Sequence, residues 1–165
     1  MTKKLVAYFS ATGVTKNTAE NLAEAISADI YEIKPAVLYT KADLNWMDKN
    51  ARSTIEMNNY TSRPEMEKDD FSIEEYDTIF LGFPIWWYIA PTIVNTFLEK
   101  HDFSNKKIIL FATSGGSNFG KTAEKLRTSV SQKAKIIEGK ILNGNPSKEE
   151  LKKWADSITE QLLAK

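Results

Sequence analysis

Short apolar runs alternate with stretches of helical spacing along the whole chain, and this alternation limits the fold more than any other feature. Lys4-Leu5-Val6-Ala7-Tyr8-Phe9, Thr78-Ile79-Phe80-Leu81-Gly82-Phe83 and Lys107-Ile108-Ile109-Leu110-Phe111-Ala112-Thr113 are nearly continuous in their apolarity. Runs of that length, bounded by turn residues, suit strands covered on both faces. Residues 28–34 (ADIYEIK) and 135–141 (KIIEGKI) interleave charges with apolar residues, and are expected at sheet edges, where one side or one end meets water.

Between the runs lie five apolar stripes. Ala19, Leu22, Ala23 and Ile26 follow i, i+3, i+4, i+7 spacing, and Leu44, Met47, Ala51 and Ile55 predict a second helix behind Thr40 as N-cap. Pro91 opens a third helix carrying Ile93, Phe97 and Leu98, because proline is tolerated in a first turn. Ala123, Leu126 and Val130 mark a fourth. Ser147 and Glu150 form a capping box before Leu151, Trp154, Ala155, Ile158 and Leu162. Five β-α units without repeat or linker predict one α/β domain over residues 1–165, a doubly wound five-stranded parallel sheet with helices on both faces. With strands two and five at the edges, the order is 2-1-3-4-5.

The chain has no cysteine and one histidine, which excludes disulfides, thiolate nucleophiles, iron–sulfur clusters and a His-rich metal centre. Any redox chemistry must come from a bound cofactor. Lys+Arg and Asp+Glu both total 22, so no electrostatic footprint points to nucleic acid or to an anionic membrane. No apolar run approaches the roughly 20 residues of a membrane span, and the first apolar stretch is too short for a signal-peptide core. A cytoplasmic location is expected.

In open α/β sheets ligands sit beyond the carboxyl ends of the strands. The loop after the first strand, Ser10-Ala11-Thr12-Gly13-Val14-Thr15, offers three hydroxyls, a glycine and a helix start, which suits a phosphate. The alternative is that Ser and Thr only cap the helix. The loop after the third strand, Pro84-Ile85-Trp86-Trp87-Tyr88-Ile89-Ala90-Pro91, carries bulky aromatics and no charge, as a surface for a flat ring requires. Trp86 and Trp87 could instead pack on neighbouring helices or a partner subunit. The loop after the fourth strand, residues 113–120 (TSGGSNFG), contains three glycines that let backbone amides face a ligand edge.

Residues 115–122 (GGSNFGKT) also match the P-loop pattern G-x-x-x-x-G-K-[ST]. Against a nucleotide-triphosphate site, no other strand ends in an apolar run followed by Asp to hold a magnesium ion. Only one strand follows the motif, and the other two loops would go unexplained.

Taken together, the three loops resemble the flavodoxin family over essentially the whole length. Residues 10–15 resemble its FMN-phosphate loop, with Val14 where asparagine is common. Residues 82–87 with Ala90-Pro91, and residues 113–117, resemble its two ring loops. The resemblance implies a flavodoxin-like fold and non-covalent FMN. The phosphate would be held by Ser10, Thr12, Gly13, Val14 and Thr15. The ring would be contacted by Pro84, Ile85, Trp86, Trp87 and Tyr88, and by Thr113, Ser114, Gly115, Gly116 and Phe119. It further implies electron transport between redox partners, or reduction of a small quinone or flavin acceptor by NAD(P)H, in a monomer or homodimer. No general acid or base stands in these loops, and His101 is expected as a surface or capping residue.

Two departures bear on the chemistry. Carriers of this family are strongly acidic, whereas residues 84–91 and 113–120 have no charge. The acidic cluster Glu65, Glu67, Asp69, Asp70, Glu74 and Glu75 precedes the third strand and is expected toward the far end of the sheet. The ring loop Pro84-Ile85-Trp86-Trp87 lacks a glycine, which predicts weaker stabilisation of the one-electron-reduced flavin than in a typical carrier. Residues 36–76 are long for a single crossover. Within them Tyr39 and Arg63 are either ordinary loop residues or able to reach the site.

Overall fold

The computed structural model describes residues 3–59, 61–114 and 118–163. Five parallel strands, β1 (Lys3–Tyr8), β2 (Asp29–Glu32), β3 (Tyr76–Pro84), β4 (Lys107–Thr113) and β5 (Lys135–Ile141), form one sheet in the order β2-β1-β3-β4-β5. Helices α1 (Val14–Ile26), α2 (Arg52–Met57), α3 (Thr92–Lys100), α4 (Thr122–Arg127) and α5 (Lys148–Leu163) connect or follow them.

The two-residue period of a strand sends alternate side chains to opposite faces. Leu5, Ala7, Ile79, Leu81, Ile108 and Leu110 face one core, which α3 closes with Ile93, Val94 and Phe97. Val6, Tyr8, Phe80, Ile109 and Phe111 face the other, covered by Ala19 and Leu22 of α1 and by Leu151 and Ala155 of α5. Each of these large side chains contributes roughly 1.5–3 kcal/mol by leaving water, and that burial explains why the central runs are apolar throughout. β2 and β5 keep exposed positions, as edge strands should. The capping box on α5 forms in both directions: Glu150 N–H donates to Ser147 Oγ at 3.1 Å, and Ser147 N–H to Glu150 Oε1 at 3.3 Å.

The expected helix over Leu44–Ile55 does not form. Its place is taken by a single 3-10 turn, Ala42–Leu44, and the separate short α2, while Met47 is 77% and Ile55 57% exposed. Polar side chains divert the backbone. Thr40 and Asp43 exchange bonds at 2.9 and 3.1 Å, Asn45 Oδ1 accepts Met47 N–H, and Asp48 Oδ1 accepts Asn50 N–H, each favouring a turn over helix propagation. α4 likewise stops at Arg127, leaving Val130 outside it.

After α2 the crossover returns antiparallel beside β2. Pro35 pairs with Met66, Tyr31 Oη donates to Asp69 at 2.6 Å, and Tyr76 Oη donates to Asp29 at 2.7 Å. The acidic cluster is therefore spread along this edge. Glu65 and Glu67 lie past the carboxyl end of β2, bonded through their backbone to Ala36 and Lys34, and only Glu74 and Glu75 sit at the far end.

His101 stands at the C-cap of α3, the capping place expected of it, rather than on the open surface. It is only part exposed, with Phe71, Phe97 and Phe103 at centroid distances of 5.6, 5.3 and 6.4 Å. Burial, with Lys100 adding repulsion, lowers its pKa, and Asp69 opposes the shift. No helix among the described residues is long and apolar enough to cross a membrane.

Candidate functional site at the carboxyl end of the sheet

The first turn of α1 is open. Asn17 N–H donates to Gly13 O at 3.1 Å, which begins the helical ladder and leaves the amides of Val14, Thr15 and Lys16 ahead of it. No side chain caps this end. The hydroxyls therefore do not act as helix caps, and Ser10 shapes the loop by accepting Gly13 N–H at 3.0 Å. Gly13 has φ +96°, a left-handed conformation that glycine adopts without strain. Thr12 and Val14 are exposed at the mouth, whereas Thr15 is buried and its Oγ1 lies 2.8 Å from Thr113 Oγ1.

Two cavities meet at Thr12. One, of about 800 Å³, is lined by Thr12, Gly13 and Val14 at the helix start and by Ser114, Asn143 and Asn145 opposite. The other, of about 620 Å³, runs from Thr12, Thr15 and Thr113 along Pro84, Ile85, Trp86, Trp87 and Tyr88. Its lining is largely apolar and aromatic, and Tyr88 is its one titratable side chain among the described residues.

The aromatic wall is held by a tight turn. Trp86 N–H donates to Ile89 O at 2.9 Å and Ile89 N–H to Trp86 O at 3.2 Å, with φ +50° at Trp87 and +68° at Tyr88. Positive φ at both central residues is the signature of a type I′ turn, which normally uses Asn or Gly. Here it costs of order 1–3 kcal/mol per residue. Lys121 N–H donates to Tyr88 O at 3.3 Å, and Gly120 lies so close that a Cβ there would stand 2.4 Å from that carbonyl. Trp86 packs inward, edge-on to Phe9 at 5.7 Å and Tyr39 at 5.5 Å, while Trp87 and Tyr88 are 42% and 65% exposed.

The remaining expected residues divide. Ser114 joins the site through Asn143, whose Oδ1 accepts Ser114 N–H at 2.9 Å and whose Nδ2 donates to Ser114 O at 2.8 Å. Phe119 does not line either cavity. It is buried in the core, because its carbonyl accepts the Thr122 hydroxyl and turns the chain inward. Gly115 and Gly116 lie outside the described residues. In the P-loop reading Thr122 would hold a metal, yet its side chain is fully buried and its hydroxyl is already bonded to Phe119.

Tyr39 and Arg63 stay outside both cavities. The Tyr39 hydroxyl donates to Glu56, and burial together with that carboxylate pushes its pKa far up. Arg63 pairs with Glu99 at 2.9 Å. Contributors that were not foreseen include Asn143 and Asn145 in the first cavity, and Leu44, Trp46 and Ser53, which close the ring cavity from the crossover. The unusual length of residues 36–76 was the available signal for the crossover.

FMN, the cofactor implied by the sequence resemblance, fits this donor set. Uncapped helix amides face a polar cavity, as a phosphate dianion needs, and that cavity opens at Thr12 into an aromatic slot suited to a flat ring.

Residues 3–158 match the family model described as flavodoxin, and the chain belongs to the flavodoxin family. None of the curated proteins compared matches it. Among solved structures, a candidate flavoprotein from Bacteroides uniformis is 48% identical with a TM-score of 0.87, covering 94% of this chain and 98% of that one. A second, from Bacteroides eggerthii, is 43% identical with a TM-score of 0.88, covering 96% and 99%. A Lactobacillus acidophilus flavoprotein in complex with FMN shares the fold at 22% identity and a TM-score of 0.68, covering 94% and 99%.

Proposed function

We propose that the chain binds FMN non-covalently and carries electrons between redox partners in the cytoplasm. The observation that supports this most strongly is the meeting at Thr12 of an uncapped helix N-terminus and an aromatic slot. Bound FMN supplies reversible uptake of electrons. The amides of Val14, Thr15 and Lys16 and the Thr12 hydroxyl bind the phosphate. Pro84–Tyr88 and Thr113 orient the ring, Ser114 stands across the phosphate cavity from the helix start, and exposed Trp87 and Tyr88 form the rim that a partner meets. With no side-chain acid or base among the described residues of the slot beyond the Tyr88 phenol, the protein's part is to position the ring and control access of water.

A second reading, direct reduction of a small quinone or flavin by NAD(P)H, is favoured by the uncharged rim and by the extra wall of Leu44 and Trp46. Mixing the yellow holoprotein with NADPH separates the two. Rapid bleaching without added reductase supports the enzyme; a stable flavin spectrum that bleaches only with a partner reductase supports the carrier.

A further inference from the structure

Ser53 is the second residue of α2, 2% exposed, and its hydroxyl has no hydrogen-bond partner among the described residues. It lines the ring cavity beside Leu44 and Trp46. The other buried hydroxyls of this cavity are paired, Thr15 Oγ1 lying 2.8 Å from Thr113 Oγ1. Thr54 Oγ1 is also unpartnered but does not line the cavity, so Ser53 is the residue of the cavity wall that carries an unpaired buried donor.

The helix presenting it is braced. Arg52 Nε lies 3.0 Å from Glu56 Oε2, its Nη1 donates to Val37 O at 2.7 Å, and its guanidinium sits 3.8 Å over the Tyr39 ring. Tyr39 in turn donates to Glu56 and packs on Trp86, part of the cavity wall. The orphaned hydroxyl is thus fixed relative to the aromatic slot. Leaving a buried donor unmade is unfavourable, and an acceptor oxygen brought by a ligand removes that penalty.

We propose that Ser53 donates a hydrogen bond to a carbonyl oxygen of a planar ring held in the slot, making the crossover a further contact element beside the loops after β1, β3, β4 and β5. The inference rests on the flavin reading above. That carbonyl belongs either to the flavin ring or to a quinone acceptor lying against it.

Two measurements on Ser53→Ala and Ser53→Thr distinguish the sources. The first is FMN affinity of the apoprotein by fluorescence quenching. The second is the half-saturating menadione concentration for reoxidation of the dithionite-reduced holoprotein. We expect the alanine variant to lose about 3- to 10-fold in one of them while the threonine variant, which keeps the hydroxyl, stays near wild type. A loss in FMN affinity assigns the carbonyl to the flavin, and a loss confined to menadione assigns it to the acceptor. Wild-type values in both assays for both variants overturn the inference, as does an equal loss in both variants, which would reflect packing alone. A wild-type chain that takes up no FMN overturns the cofactor reading and this inference with it.

Discussion

Thr15 Oγ1 and Thr113 Oγ1 lie 2.8 Å apart in a buried seam, tying the first turn of α1 to the end of β4. One hydroxyl donates and the other accepts, so the phosphate loop and the third loop are held by a single shared bond. Replacing Thr15 by Val leaves Thr113 without its partner, and the expected cost is about 1–3 kcal/mol in urea unfolding of the apoprotein. Thr113→Val should cost a similar amount. The double variant should lose less than the sum, because no unpaired hydroxyl remains; additive losses would mean that the two groups are not coupled.

Gly13 tests conformation separately from packing. A Cβ there meets nothing within 4 Å, so any loss on substitution comes from φ +96° alone. Gly13→Ala should destabilise by about 1 kcal/mol, and Gly13→Asn by less, since asparagine tolerates left-handed backbone better. Thermal melts of the two variants give the comparison, and equal melting temperatures would contradict it.

Asn143 holds Ser114 by both backbone groups from the loop after β5. Asn143→Asp keeps the acceptor but removes the donor. FMN affinity should fall by about 10-fold or more, from one lost hydrogen bond and from the negative charge added to the phosphate cavity, with little change in melting temperature because the residue is exposed. Isothermal titration reads the first quantity and calorimetry the second.

His101 sets an acid-side limit on stability. Its folded pKa lies below the ordinary 6.5, with burial the main cause and Lys100 adding to it. The unfolded chain therefore binds more protons at that residue near and below pH 6.5, so its contribution is fully present above that pH and is lost as pH falls through the folded pKa. The melting temperature should decline from pH 7.5 toward pH 5. His101→Phe, which suits a site bounded by Phe71, Phe97 and Phe103, should flatten that decline. Asp43, Asp69 and Asp102, all held below the usual carboxylate value of 3.8, act in a lower window and leave the comparison clear.

The sheet and its order were legible because Leu5–Tyr8, Ile79–Phe83 and Ile108–Ala112 are buried on both faces, so local composition reports global position. The open start of α1 was legible for a related reason: a helix start is a local event, and its hydroxyls and glycine stand next to one another. The crossover was not. Asn45 and Asp48 break its helical stripe through side-chain bonds to backbone amides two residues on, which an apolar period does not record. Ser53 and Asn143 escaped notice because each meets the site only through the fold, Asn143 across 29 positions of chain. Phe119 misled in the opposite direction, since an aromatic in a glycine-rich loop serves equally well as a core plug.

The two cavities meeting at Thr12 should behave as one FMN site. The most direct test is titration of the purified apoprotein with FMN, followed by flavin fluorescence and visible absorption. Saturation is expected at one FMN per chain, with Thr12→Val weakening binding and the flavin released intact on denaturation. A chain that leaves FMN fluorescence unchanged, or one whose affinity is indifferent to Thr12 and Ser114, would contradict it.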